Sequence, residues 1–150
     1  MRKLLLRGVL ILVGLFLLAQ LVPYGRNHKN PPVQTEPRWA TAQTRELAKR
    51  ACFDCHSNLS TWPWYSNIAP ASWLIYRDVV GGRGSLNFSE WNLPQDGAGD
   101  AIETIRSGSM PPWFYLPLHP KAALSKTEKN ALMAGLAATF RTSPPIGGTG

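Results

Sequence analysis

The only two cysteines of this 150-residue chain fall within one five-residue segment, Cys52-Phe53-Asp54-Cys55-His56. On a helical turn Cys52 and Cys55 lie three apart and His56 four beyond Cys52, so all three side chains share a face. Two thiols and an imidazole so placed suit covalent attachment of a haem c, in which each thiol adds to one vinyl group and the imidazole reaches iron. Three other chemistries fit less well. A closed zinc site wants four Cys or His ligands, and only His28 and His119 remain. A thioredoxin-like redox pair wants a βαβ setting, and no strand pattern of any length is visible. A plain disulfide is awkward at this spacing in a helix and leaves His56 unexplained. The motif therefore predicts one covalent haem c, with Cys52 and Cys55 as its thioether residues and His56 as the proximal ligand of its iron.

Residues 4–22 form an apolar run whose one charge is Arg7. As a helix it would be roughly 28 Å long, close to the hydrocarbon thickness of a bilayer. Arg2, Lys3 and Arg7 would keep the N-terminus inside. A cleaved signal peptide would need small residues spaced A-x-A after the run, and the stretch Ala19 to Gly25 offers no good site. Residues 1–24 are thus expected as an N-terminal membrane anchor, with a signal peptide as the alternative. This implies an inner (cytoplasmic) membrane location with the haem domain in the periplasm.

The length allows one domain with one core. The formal charge is +7, but Arg2, Lys3 and Arg7 flank the apolar run, and without them 13 basic residues face 9 acidic ones. Those charges are scattered, which argues against a nucleic-acid partner. Residues 25–39 read as a proline-rich tether. A helix is expected from near Thr41 through His56, a loop over 57–70, and a helix over 71–80 that stops at Gly81-Gly82. A short helix follows from about Asp100 and ends at Gly108. The four prolines of 110–120 predict a stiff loop. Ser125 and Glu128 have the spacing of a capping box, and Leu132, Leu136 and Phe140 form one apolar face. The haem domain is expected over 40–141 and a disordered tail over 142–150. The fold class predicted is all-α and cytochrome c-like, a single-haem domain with long Pro/Gly-rich loops preceded by a transmembrane helix.

Several segments together, CFDCHSNLSTWPWYSNIAPASWLIYRDV (52–79), LNFSEW (86–91), GSMPPWFYLPLHP (108–120) and LVPYGRNHKNPP (21–32), resemble the small haem-binding domain family. These are membrane-anchored bacterial proteins related to c-type cytochromes. The likeness runs from about Leu21 to Phe140 and implies a single-haem, mostly helical domain facing the periplasm. Ser109 stands where the resemblance leads one to expect an acidic residue.

The position opposite His56 has several candidates. Met110, in the proline-stiffened loop, is the expected distal iron ligand. His119 in the same loop is its rival, and an open position is the third possibility. Met133 shares a helix face with Leu132 and Leu136 and reads as core. Trp62, Trp64, Trp73 and Trp113 are candidate walls for a porphyrin, and Arg77 and Arg83 candidate partners for its propionates. Asn87 and Glu90 suggest no role. The function expected is one-electron transfer with redox partner proteins at the membrane, without a small-molecule substrate and without enzyme activity. The alternative is a haem-based enzyme or gas sensor with a displaceable sixth iron position.

Overall fold

A computed structural model describes residues 1–147. Its helices are α1 (Arg2–Ala19), α2 (Ala42–Ala51), α3 (Phe53–His56), α4 (Ala71–Ser85), α5 (Ala101–Ser107) and α6 (Lys126–Thr142), with short 3-10 turns at Trp64–Asn67, Leu116–Leu118 and Pro120–Ala122. Among the described residues no strand forms, and only two isolated bridges occur, Thr35 with Glu90 and Pro94 with Ile146. The all-α class holds. The chain divides into two compact units: Met1–Lys29 with Trp62–Asp78, and Asn30–Thr61 with the chain from Val79 onward.

In the first unit, α1 carries no buried residue, and no helix among the described residues is long and apolar enough to cross a membrane. The cause lies at both ends. Arg2, Lys3 and Arg7 occupy the first two turns, leaving about 12 uncharged residues, about 18 Å of helix against a hydrocarbon core of about 30 Å. At the other end the helix stops at Ala19 instead of running to Val22. Gln20 is stapled to Ala69, its Nε2 donating to the Ala69 carbonyl (2.9 Å) and its Oε1 accepting from the Ala69 N–H (3.0 Å). The transmembrane anchor expected over residues 1–24 is therefore corrected. With it go the membrane partner, the inner-membrane location and the periplasmic placement that rested on it. Elsewhere in this unit Gly25 (φ +78°) presses on Ser72, where a Cβ would lie 2.2 Å from the carbonyl oxygen. His28 stacks on Trp62 at 4.6 Å.

The second unit holds the core that positions the motif. Leu47, Ala48, Phe53, Leu86, Phe88, Trp91, Ile105, Leu132 and Leu136 are buried together. An aromatic stack runs through it: Phe53 on Phe88 (5.7 Å), Phe88 on Trp91 (5.8 Å), and Trp91 on Phe140 (5.5 Å). The α2 helix starts at Thr41, whose Oγ1 accepts from the Thr44 N–H, and packs on α6. The approach is close enough that a Cβ on Gly135 would meet Thr44 Oγ1 at 2.1 Å. The capping box at α6 is present in both directions, Ser125 to Glu128 and back.

Other expectations differ in detail. The motif helix breaks at Cys52 (φ −124°, ψ −36°), dividing α2 from α3. The expected stop at Gly81-Gly82 does not occur, and α4 continues to Ser85. The segment read as a tether is held from Asn30 onward: Gln34 and Thr35 donate their N–H groups to the Ser89 carbonyl, and Glu36 pairs with Arg45. The tail read as disordered is fixed as far as Ile146, whose carbonyl accepts from the Gln95 N–H at 2.7 Å, and residues 148–150 lie outside the described residues.

Candidate functional site

Phe53 explains why the motif is rigid. It is 2% exposed, so the residue between the two thiols in the first turn is anchored in the aromatic core. The turn is closed by the Cys52 carbonyl, which accepts from the N–H groups of Cys55 (3.1 Å) and His56 (2.8 Å). Cys52 and Cys55 are not joined by a disulfide. Burial, and then the neighbouring Cys55, push the Cys52 thiol up to about 12, so it is held as S–H.

Gly82 brings α4 against this turn. A Cβ there would lie 2.4 Å from the Cys55 carbonyl oxygen and 3.1 Å from its side chain. A glycine inside a helix costs about 1 kcal/mol relative to alanine, and here it permits a close backbone approach. That approach has a use. His56 Nδ1 lies 3.0 Å from the Gly82 carbonyl and 3.0 Å from the Leu86 carbonyl. Two carbonyls can only accept, so Nδ1 carries the proton and Nε2 keeps its lone pair for a ligand. Burial pushes the imidazole below its ordinary value, against those two bonds, and the neutral ring is favoured.

The 86–95 segment is fixed to the motif by buried amides. The Phe88 N–H donates to the His56 carbonyl at 2.9 Å. Asn87 Nδ2 donates to Asn58 Oδ1, and Asn58 Nδ2 donates to Glu90 Oε1, both at 2.9 Å. Gln95 Oε1 accepts from the Asn87 N–H at 2.7 Å. Arg83 donates to the Ser57 carbonyl and to Ser60 Oγ, both at 2.8 Å, so it serves the backbone after His56. Arg77 is exposed and pairs with Asp78.

The proline-rich loop is hitched to the same turn. Tyr115 Oη donates to Asp54 Oδ2 at 2.6 Å, and Arg50 donates to the Lys121 carbonyl at 3.0 Å. Met110 lies two residues past Gly108, which ends α5 in the left-handed region (φ +81°), and is 37% exposed. Trp113 is 80% exposed and Phe114 and Leu118 are also exposed. His119 stacks its ring on Tyr115 at 3.7 Å and 8°, and its Nδ1 donates to the Tyr115 carbonyl.

The residues present fit a haem. A single turn holds two thiols and an imidazole whose proton is parked on the far nitrogen, and the loop tied to that turn exposes a thioether and apolar rings. Sequence reasoning missed the Gly82 and Leu86 carbonyls, the Asn87–Gln95 contact and the Tyr115–Asp54 bond. A glycine in a region of helix-forming residues was the one available signal for the first of these. Of the four tryptophans proposed as walls, Trp62 stacks on His28 and Trp113 is exposed, while the core uses Trp39 and Trp91.

A profile of the family described as "Haem-binding domain" matches residues 14–138, most of the chain. Neither a curated protein nor a solved structure gives a match. The resemblance drawn from the motifs thus stands for the haem-binding domain and is corrected for the membrane anchor.

Proposed function

The chain belongs to the haem-binding domain family, and from that premise we propose that it holds one haem c covalently through Cys52 and Cys55, with His56 as iron ligand, and acts as a one-electron carrier. The observation that carries this reading is the pair of 3.0 Å bonds from His56 Nδ1 to the Gly82 and Leu86 carbonyls. They leave Nε2 as the ligating nitrogen on the turn that bears both thiols. Attachment needs no oxidant: each S–H adds across one vinyl double bond, sulfur to one carbon and hydrogen to the other. A bound haem supplies an iron that exchanges single electrons. The chain supplies the rest. Phe53 fixes the turn in the core, the carbonyls orient the imidazole, and the Tyr115–Asp54 bond holds the loop bearing Met110 and Trp113.

Haem staining after denaturing electrophoresis tests attachment. The wild-type band should stain, Cys52→Ala or Cys55→Ala should stain less, and the double variant not at all. Stain that survives the double substitution overturns the assignment.

A further inference from the structure

His56 and Gln95 are joined through a single peptide group. The carbonyl of the Leu86–Asn87 peptide accepts from His56 Nδ1–H at 3.0 Å, and the N–H of the same peptide donates to Gln95 Oε1 at 2.7 Å. The Gln95 amide cannot be reversed, because its Nε2 faces two carbonyls, Glu90 at 2.8 Å and Leu93 at 3.0 Å, and these accept only. Gln95 is 1% exposed and Asn87 is buried, so water does not compete along the chain of bonds.

We propose that Gln95 is a positioning residue for the His56 imidazole, acting through the Leu86–Asn87 peptide to strengthen the bond at Nδ1. The reading rests on His56 as iron ligand. Hydrogen bonds in series polarise one another. An acceptor on the Asn87 N–H draws electron density onto the Leu86 oxygen, which then pulls harder on the His56 proton. The imidazole becomes a stronger donor at Nε2 and favours the oxidised metal. The second acceptor, the Gly82 carbonyl, lies inside α4 and also accepts from the Leu86 N–H at 2.9 Å, so the half of the pair that a side-chain substitution addresses is the Leu86 half. The same contact fixes geometry, since Gln95 clips residues 87, 90 and 93 into one rigid loop whose Phe88 N–H holds the His56 carbonyl.

The test compares wild-type holoprotein with Gln95→Met, of similar length but without the acceptor, and with Ser89→Ala. Ser89 Oγ accepts from the Asn58 N–H, so its loss loosens the same loop without touching the relay. In the reduced protein, Gln95→Met should move the His56 Nδ1–H proton resonance upfield. It should also shift the one-electron equilibrium about threefold toward the reduced state, about 30 mV at 59 mV per decade. Ser89→Ala should lower the unfolding temperature and leave both readings in place. Unchanged readings in Gln95→Met, or equal shifts in Ser89→Ala, overturn the relay. Where Gln95→Met is too unstable to purify, the wild type carries the test: the Asn87 N–H and His56 Nδ1–H resonances should both lie downfield and move together as temperature changes, and independent movement overturns the relay. A wild type that carries no haem refutes the functional reading instead, and the resonance still reports on the relay.

Discussion

The Tyr115 hydroxyl donates to Asp54 Oδ2 at 2.6 Å, and Asp54 lies between the two cysteines of the motif. The other carboxylate oxygen accepts from the Thr61 N–H at 2.9 Å. One side chain thus ties the motif both to the proline-rich loop and to the segment that follows it. A hydrogen bond to a charged group contributes about 1.5–3 kcal/mol, less where water has access. Tyr115→Phe should therefore lower stability by about 1–2 kcal/mol in urea unfolding. Asp54→Ala, which removes both bonds, should cost more. Equal stability in Tyr115→Phe and wild type would show that the loop is held by other contacts.

Gly82 and Gly81 make a paired prediction. A Cβ on Gly82 meets Cys55 backbone at 2.4 Å, whereas one on Gly81 meets nothing within 4 Å. Backbone cannot swing aside as a side chain can, so Gly82→Ala should cost about 1–3 kcal/mol or more and reduce the yield of attached haem. Gly81→Ala, on the same helix, should stabilise by about 0.5–1 kcal/mol through helix propensity. Thermal unfolding of the two variants separates the explanations, because a general need for glycine in this helix would make both harmful.

Acid should remove one defined contribution. Glu36 accepts from Arg45 Nε and Nη2 and from Trp39 Nε1, all at 2.7 Å, and the Arg45 bond chiefly holds its carboxyl below the ordinary value of 4.5. A carboxyl depressed by folding contributes stability that is fully present above that value and lost as pH falls through the folded-state value. The pair is partly exposed, so the contribution is on the order of 1 kcal/mol or less. Stability of the wild type should fall below about pH 4.5, and Glu36→Gln should be less stable at neutral pH while losing part of that slope. Parallel curves for the two proteins would remove Glu36 from the acid response.

What could be read from the sequence was what repeats or caps. Ser125 with Glu128, Gly108, and the Leu132–Leu136 face are local patterns, and each lies where its spacing puts it. The Cys52–Cys55–His56 turn is equally local. Contacts between distant segments were not legible. Gly81-Gly82 looks like a helix stop until Cys55 is seen against Gly82. The apolar run from residue 4 looks long enough to span a bilayer until Gln20 is seen bonded to Ala69. Asn87 and Gln95 sit in a stretch without periodicity, so no pattern marks them as the residues that hold the His56 partner in place.

The loop opposite the motif gives the last prediction. Met110 and His119 both lie in it, and their surroundings differ. His119 has its Nδ1 on the Tyr115 carbonyl, which leaves Nε2 as its ligating nitrogen just as in His56. Its ring, however, is stacked at 3.7 Å on Tyr115, the residue that tethers the loop, and turning toward iron would give up that stack. Met110 has an exposed side chain on a backbone held by its N–H to the Thr104 carbonyl at 3.0 Å. A fixed backbone spares the cost of ordering the loop on ligation and leaves only that of the Met110 side chain, and a thioether favours the reduced metal. The oxidised holoprotein should therefore show a weak far-red sulfur-to-iron charge-transfer band. Met110→Ala should abolish the band, open the reduced iron to carbon monoxide, and shift the redox equilibrium about a hundredfold toward the oxidised state, on the order of 120 mV at 59 mV per decade. His119→Ala should keep the band and lose stability, because it removes the stack on Tyr115. If the band is missing from the wild type and only His119→Ala admits carbon monoxide, the ligand is His119. If the wild type binds carbon monoxide freely, neither side chain is bound, and the electron-carrier reading gives way to one in which the iron meets a small molecule directly.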